Sequence, residues 1–321
     1  MNRMVDENVA ERYREISKYL LLNDGTPSNW GQNSQLIPET IGFAKTGSSS
    51  YDLDIDKVSR LNIENLYALS YAQMFTALKM PDVSFRIEIK PIFEVYINLT
   101  RTYVLVNTTV YQFEILTQKH GVPVQVELNC YVIAENYFGA DYTCTSNSRT
   151  CLNITLSNDV TGQALLVVFS GFVSNTKIVS FNTYAFAHNS AESKPKGTFL
   201  RLSPLDYSLT ASFIYSGISL SRAYALTFNY NSILTQISNS SQSALYDIPH
   251  FLDSSPTLIV ITGWNSTVFF TEWTAYPQIP LQAGVGSAGL TALSNVFAYT
   301  YIVVINSVIY ECTIWLGGPR D

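Results

Sequence analysis

The sequence Tyr301-Ile-Val-Val-Ile-Asn306-Ser307-Val308-Ile-Tyr-Glu-Cys-Thr-Ile-Trp315 places two apolar runs on either side of an Asn-Ser pair. β-Branched and aromatic residues favour strands, and a two-residue connection that contains Asn is typical of a β-hairpin. Glycine would suit the second position of such a turn better than serine does. We therefore predict an antiparallel hairpin here, and it sets the fold class expected for most of the chain.

Strand-like segments continue back from this hairpin as far as Pro81. Apolar and polar residues alternate in residues 83–89 and 93–97, which is the pattern of a half-buried strand. Further candidate strands are residues 103–115, 123–133, 164–169, 178–186, 209–215, 224–228, 258–261 and 268–273. Many short strands without helices between them predict one or two β-sandwich modules.

The first 80 residues predict helices instead. From Met4, apolar side chains recur on one helical face, at Val5, Val9, Tyr13, Ile16 and Leu20. The breaker residues 23–27 are expected to end this helix. Asp54 is a predicted N-cap for a second helix that stops at Pro81. The residues of this second helix expected to face a core are Val58, Leu61, Leu66, Leu69 and Leu78.

These changes of pattern divide the chain into three predicted parts. Residues 1–80 form a helical stub, a loop and a second helix. Residues 81–195 form one β-sandwich module, and residues 196–321 form a second. The boundary between the two modules is placed in residues 190–197, which contain two Lys, one Pro and one Gly.

The composition restricts the kinds of partner. Charged residues make up 14% of the chain, against about 25% in an ordinary globular protein. The net charge is −6 and the 19 basic residues are scattered, which argues against nucleic acid, and against an anionic membrane surface as the main partner. The apolar runs are shorter than the roughly 20 residues that span a bilayer. The surface is thus polar mainly through hydroxyl and amide groups, as is common in secreted and filament-forming β proteins.

The four cysteines favour an oxidising compartment. Cys144 and Cys151 bracket a polar, turn-like stretch, and a disulfide between them would close a short loop. Cys130 and Cys312 are candidates for a second bridge, although Cys312 lies inside a strand pattern and could belong to a core instead. Four reduced, buried thiols are the alternative.

The chain also carries acceptor motifs for N-glycosylation, in which Asn is followed two positions later by Ser or Thr. They begin at Asn98, Asn107, Asn153, Asn239 and Asn265. Their number is about what the Asn, Ser and Thr content gives by chance. The motifs are therefore compatible with a secreted protein without arguing for one.

Motifs for catalysis or for metal binding are weak. The three histidines are far apart in sequence and are expected in loops or on the surface. Gly284, Gly286 and Gly289 match the spacing of a dinucleotide fingerprint, but prolines precede them and strands follow, so a glycine-rich connector is expected. The acidic residues at positions 52, 54 and 56 are explained by a helix N-terminus. We expect no enzyme activity, no catalytic or metal-binding residue and no cofactor.

Aromatic residues offer the remaining candidate surface. Trp264, Trp273 and Tyr276 lie close together in sequence and could stack on sugars, although a β-sandwich core or surface would use such residues without any ligand. They carry the runner-up hypothesis, a carbohydrate- or solute-binding accessory protein of the cell envelope.

Two stretches of sequence carry a family resemblance. The first runs from Leu21-Leu-Asn-Asp-Gly-Thr-Pro-Ser-Asn-Trp30 through Ile41-Gly-Phe-Ala44 to Leu53-Asp-Ile-Asp-Lys-Val-Ser-Arg-Leu61, and the second is Val303-Val-Ile-Asn-Ser-Val-Ile-Tyr310. In this order they resemble archaeal type IV pilin-like surface proteins. In that family a hydrophobic helix continues into a loop with Gly, Pro and Trp, then a turn and a helix, and then a β-ectodomain.

The resemblance implies an ectodomain displayed outside the cell, either membrane-anchored or filament-associated, whose hydrophobic N-terminal helix is missing before Arg3. The stub from Met4 to Leu22 would lead out from other filament or surface subunits, and Pro27 and Trp30 would pack the loop against the β-domain. Adhesion to glycans or cell surfaces is the expected activity, and the membrane is expected as a partner only through the missing helix. A viral or S-layer structural protein is a further alternative. The gene sequence upstream of Asn2 would separate these hypotheses.

Overall fold

The structure is a computed structural model that describes residues 2–144, 148–172, 175–190, 192–286 and 293–318, with residues 289 and 291. It is mainly β, with a helical part at the N-terminus, as predicted. The helices are α1 (Asn2–Leu22), α2 (Ile55–Ser59) and α3 (Tyr71–Leu78). The strands are β1 (Asp52–Leu53), β2 (Ser84–Pro91), β3 (Glu94–Val104), β4 (Thr108–Lys119), β5 (Val122–Pro123), β6 (Glu127–Ala134), β7 (Tyr137–Cys144), β8 (Arg149–Ser157), β9 (Gly162–Phe172), β10 (Asn175–His188), β11 (Leu200–Leu205), β12 (Ser208–Phe213), β13 (Ile218–Leu226), β14 (Asn231–Ile233), β15 (Thr235–Asn239), β16 (Ser243–Asp247), β17 (Thr257–Asn265), β18 (Val268–Tyr276), β19 (Leu281–Gly284), β20 (Ser294–Ile305) and β21 (Val308–Gly318).

The chain forms two compact units, and each contains segments that are distant in sequence. Unit 1 comprises Met1–Pro91, Ser203–Asp206 and Tyr276–Asp321, and unit 2 comprises Ile92–Leu202 and Tyr207–Ala275. This division differs from the predicted one at 80 and 195. The physical reason is strand pairing: β2 and β21, which the prediction assigned to different modules, are neighbours in one sheet, with Phe85 opposite Leu316.

Unit 1 is built on a five-stranded sheet of order β1-β20-β21-β2-β19. The predicted hairpin is confirmed: β20 and β21 pair antiparallel, with Ile305 opposite Val308. Asn306 and Ser307 form the turn with φ values of 48° and 69°. Both central residues are thus left-handed, as the tight turns that match the twist of a hairpin require.

Helix α1 lies against this sheet through the face that its sequence predicts. Tyr13, Ile16 and Leu20 are buried in the core of unit 1. The hydroxyl of Tyr299 donates to the carbonyl of Ala10, so polar contacts with β20 fix the helix as well as apolar ones.

The predicted second helix is two short helices. Asp54 is the N-cap of α2, as predicted, and its carboxylate accepts from the backbone N–H groups of residues 56 and 57. The chain then leaves the helical path, and Asn65 Oδ1 accepts from Tyr67 N at 3.0 Å. Leu66, which was expected to face a core, is 48% exposed. Local bonds from asparagine side chains compete with a helix here, and α3 begins afresh at a Ser70 capping box.

The described residues of unit 2 form four sheets. The outer sheet is β3-β4-β5 with β8 paired to β4, the central sheet is β10-β9-β6-β7, the third sheet is β14-β13-β17-β18 and the fourth is β11-β12-β16-β15. The central sheet contributes to two cores: Val168 packs with the outer sheet, and Val167 packs with the third sheet. Burial on both faces explains why β9 reads as an almost unbroken apolar run.

The predicted strand over residues 103–115 is wrong in one respect. The chain reverses inside this range, so that β3 ends at Val104 and β4 begins at Thr108. Leu105 N donates to Thr108 O at 2.8 Å across the turn. The sequence Val104-Leu-Val106 was expected inside a strand because it is apolar, and it forms a hairpin tip instead.

A substitution in the turn of the β20/β21 hairpin tests the pairing in which Ile305 lies opposite Val308. Ser307→Gly removes the cost of holding a β-carbon at φ 69° and should raise the free energy of unfolding by about 0.5–1 kcal/mol. Ser49→Gly is the control, because this exposed serine has no positive φ, and it should be neutral or slightly destabilising. Urea denaturation would measure both, and a loss of stability in Ser307→Gly would contradict the turn geometry.

Candidate functional site

Residues of the first stretch that carries the family resemblance meet around Trp30 in unit 1. The Trp30 indole is fully buried. Its Nε1 donates to Gly42 O at 3.2 Å, and its ring meets Phe43 edge-on with centroids 6.5 Å apart. Gly42 has to be glycine, because a β-carbon there would lie 2.4 Å from Asn23 O. We call this group, together with Lys57 and Arg60, the Trp30 cluster.

Lys57 is fully buried beside the indole. Its ammonium donates to the carbonyls of Asp24 and Ala44, both at 2.8 Å, and Nζ lies 5.9 Å from the centre of the Trp30 ring. Burial lowers the pKa of Lys57, while the charges of Asp54 and Asp24 oppose that shift. The ammonium therefore ties two distant loop segments together.

Arg60 approaches the same ring, with Cζ 5.7 Å from its centre. The guanidinium donates to the carbonyls of Trp30, Asn33 and Tyr67, the latter two at 3.0 Å. Burial lowers the pKa of Arg60, and the charge of Asp56 opposes that shift. Two cations at one indole gain from its quadrupole, while their hydrogen bonds to carbonyls compensate for their desolvation.

Asp56 is the buried acidic residue of this region, with 2% of its surface exposed. It accepts from the hydroxyl of Tyr276 at 2.6 Å and from the backbone N–H of Asp206 at 2.8 Å. Burial raises the pKa of Asp56 to about 6, against the effect of these two hydrogen bonds. Asp56 thereby fixes the short segment Ser203–Asp206, through which the chain returns to unit 1.

The chemistry of the Trp30 cluster is structural. Both cations are turned to main-chain carbonyls, and the buried carboxylate of Asp56 is bonded to a phenol and an amide. Sequence reasoning identified Trp30 and Asp54 but missed Lys57 and Arg60 as core residues. The signal available in the sequence was that Lys57 and Arg60 lie three positions apart, shortly after the predicted N-cap Asp54.

The predicted aromatic surface does not exist as one patch. Tyr276 is 1% exposed, so the prediction that it binds a ligand at the surface is wrong, and its hydroxyl is bonded to Asp56 instead. Trp273 is half-buried against a core of unit 2. Trp264 is half-buried with its ring edge-on to Phe269 at 5.3 Å, and a binding role for it stays a prediction.

The predicted disulfides have different outcomes. Cys130 and Cys312 are buried free thiols in the cores of different units, so the second bridge is wrong, and each thiol serves as a small apolar side chain. Cys151 is exposed on β8. The side chain of Cys144 lies outside the described residues, and its pairing with Cys151 stays a prediction.

The glycosylation motifs lie where a modifying enzyme could reach them. The side chains of Asn98, Asn107, Asn153 and Asn239 are exposed, and that of Asn265 is half-buried. Modification of these residues stays a prediction.

Two buried polar residues in unit 2 also have structural roles. His188 was expected in a loop or on the surface but is fully buried, and its Nδ1 lies 2.8 Å from the Tyr111 hydroxyl. Glu272 accepts from the backbone N–H groups of Gly197 and Phe199 at 2.6 and 2.7 Å. Burial raises the pKa of Glu272, and the backbone N–H groups of residues 197–200 oppose that shift.

Among the described residues, no group of three or more His, Cys, Asp or Glu side chains is placed to hold a metal ion. The described helices also include none that is long and apolar enough to cross a bilayer.

Comparisons with known proteins give no family. No family model and no curated protein matches the chain. Among solved structures, a segment of two fibronectin type-III domains from chicken tenascin is 10% identical, covering 59% of this chain and 98% of its own length with a TM-score of 0.19. TarS of S. aureus is 9% identical, covering 55% of this chain and 39% of its own, with a TM-score of 0.18. Structural similarities this weak give no information about function.

Lys57→Met tests the Trp30 cluster. Methionine keeps an apolar stem but leaves the carbonyls of Asp24 and Ala44 without their buried donor, which should lower the free energy of unfolding by about 3 kcal/mol. Lys45→Met, at an exposed lysine nearby, is the matched control and should change stability little. Urea denaturation would measure both variants, and an equal effect of the two would contradict the structural role of Lys57.

Asp56→Asn tests the buried carboxyl by pH. A folded-state pKa near 6, above the unfolded value, means that wild-type stability from this group is full below about pH 4 and is lost as pH rises through 6. The loss is about 3 kcal/mol. Asparagine keeps the acceptor for Tyr276 and cannot ionise, so the variant should gain stability relative to wild type between pH 4 and 7. A constant difference between the two proteins over that range would contradict the assignment.

Proposed function

We propose that this chain is a surface-displayed, extracellular structural protein of pilin-like type, which works by adhesion and assembly rather than by catalysis. The single observation that carries the proposal is the two-sided character of α1. One face is fixed on the sheet of unit 1 through Tyr13, Ile16 and Leu20. The other face is exposed and charged, at Glu7, Glu11 and Arg14 among others.

The exposed face of α1 suits contact with neighbouring subunits. Its charges alternate in sign, with Arg14 3.9 Å from Glu11 and Lys18 2.7 Å from Glu15. Exposed pairs of this kind add little to stability, whereas charge patterns of this kind select partners and their register. Helix α1 is anchored on one side and charged on the other, so its charged face is free to contact a neighbouring subunit.

The Trp30 cluster gives a second line of support. The resemblance to pilin-like proteins rests on the Gly-Pro-Trp loop, the Gly-Phe-Ala turn and the short helix, together with the β20/β21 hairpin. The first three of these segments are near one another in sequence. The loop, the turn and the short helix are brought together by Trp30, Phe43 and Lys57 into one buried arrangement that fixes the region following α1. An assembly helix needs such a rigid support.

Labelling of native cells tests display. Antibodies raised against unit 2 should label intact cells, and immunogold microscopy should place the label on the cell surface or on filaments. Label that appears only after the cells are permeabilised would contradict the proposal.

Charge reversal on α1 tests assembly. The double variant Glu11→Lys/Glu15→Lys should lose most of its surface or filament incorporation, because it reverses two charges on the exposed face of α1. Both side chains are exposed, so thermal unfolding should stay near wild type. The control variant Glu39→Lys/Glu192→Lys reverses two exposed charges elsewhere and should be incorporated normally. Equal incorporation of both double variants would contradict a role for α1.

A further inference from the structure

The hairpin tip between β3 and β4 exposes four consecutive apolar side chains. Tyr103 is 45% exposed, Val104 76%, Leu105 54% and Val106 94%. Single exposed apolar residues are ordinary on protein surfaces, but a run of this length on one turn is a liability unless it serves a contact. We call residues 103–106 the apolar tip.

The backbone of the apolar tip is bonded within the protein. The side-chain amide of Asn158 donates to the carbonyls of Leu105 and Val106, at 3.0 and 3.3 Å. The backbone N–H of Asn158 donates to Asn107 O at 2.9 Å. The carbonyls of two tip residues, Leu105 and Val106, and of the next residue, Asn107, thus share one asparagine as their donor.

Asn158 is itself held on every side. Its Oδ1 accepts from the Thr109 hydroxyl at 2.8 Å, and its carbonyl accepts from the Asn189 side-chain amide at 2.9 Å. The preceding residue, Ser157, has its carbonyl 2.8 Å from Nε2 of the buried His188. The apolar tip therefore rests on a rigid polar anchor in unit 2 and is not a loose loop.

The paired carbonyls of the apolar tip bear on whether the tip lies in water or in lipid. Water satisfies the carbonyls of an exposed turn at no cost, so a turn that remains in water needs no protein donors. A turn that enters a lipid layer has to bring its hydrogen-bond partners with it, because each unpaired backbone group costs several kcal/mol in hydrocarbon. The combination of exposed apolar side chains and internally paired carbonyls fits the second case.

We propose that the apolar tip inserts into the surface layer of a lipid bilayer. The Tyr103 hydroxyl accepts from the guanidinium of Arg101 at 3.3 Å, which places a phenol and a cation beside the tip. Such groups prefer the headgroup level, with their apolar parts below it. The contact is apolar, so it does not need the basic surface that the sequence lacks, and it is independent of the proposed role of α1.

Vesicle co-sedimentation tests the proposal with the whole chain. Wild type should bind phosphatidylcholine vesicles, and binding should persist when salt is raised. Val104→Ser/Val106→Ser should bind at least about tenfold more weakly, because it removes the apolar area that would enter the lipid. The matched control Val122→Ser/Ile233→Ser removes two residues that are 64% and 66% exposed elsewhere in unit 2 and should bind like wild type.

Asn158→Ala separates the anchor from the side chains. It keeps the four apolar residues but removes the side-chain donor to Leu105 and Val106, so it should also weaken vesicle binding, with circular dichroism confirming that the sheets remain. Three results would overturn the proposal. The first is a wild-type protein that does not sediment with vesicles, which would leave an apolar groove on a protein as the partner. The second is a tip variant that binds vesicles as the wild type does. The third is vesicle binding that high salt abolishes.

Discussion

Much of unit 1 depends on the burial of the Lys57 ammonium. A lysine that is fully removed from water has to find acceptors, and it finds them in the carbonyls of Asp24 and Ala44. These residues belong to the loop that follows α1 and to the turn before β1. One charged side chain therefore fixes the path of the polypeptide between the N-terminal helix and the sheet, and Trp30 covers it from one side.

The need of buried charged groups for hydrogen-bond partners also connects the segments around Lys57. Arg60 reaches the carbonyls of Trp30 and Asn33, and Asp56 holds Tyr276 and the segment Ser203–Asp206. The five-residue helix α2 and its C-cap residue, Arg60, thus place three charged residues in the core of unit 1. Buried polar groups of this kind specify one arrangement because every alternative would leave some of them unpaired.

Sequence patterns predicted the parts of the fold that rest on local physics. Alternation and turn chemistry gave the β20/β21 hairpin, helical periodicity gave α1, and the capping preference of aspartate gave the start of α2. The pairing of β2 with β21 could not be predicted, because pairing across more than 200 residues leaves no local pattern. For the same reason residues 103–115 were expected to form one strand: the apolar tip has the composition of a strand interior.

The candidate site was predictable in part. The Gly-Pro-Trp loop and the Asp-capped helix were recognised as related, but Lys57 and Arg60 read as surface residues because lysine and arginine are rarely buried. Tyr276 illustrates the opposite error. It was expected at the surface because it is aromatic and near two tryptophans, whereas its hydroxyl is the partner of a buried carboxylate.

Native-state hydrogen exchange is the most direct test of whether the Trp30 cluster holds unit 1 together. The amides of Ile41 and Phe43 donate to Ala77 and Leu20, in a segment that has little regular secondary structure of its own. If Lys57 and Trp30 fix this segment, these amides should exchange as slowly as those of β2 and β21, through the same global opening. Exchange that is orders of magnitude faster than in the sheet would show that the loop opens alone, and would contradict the account.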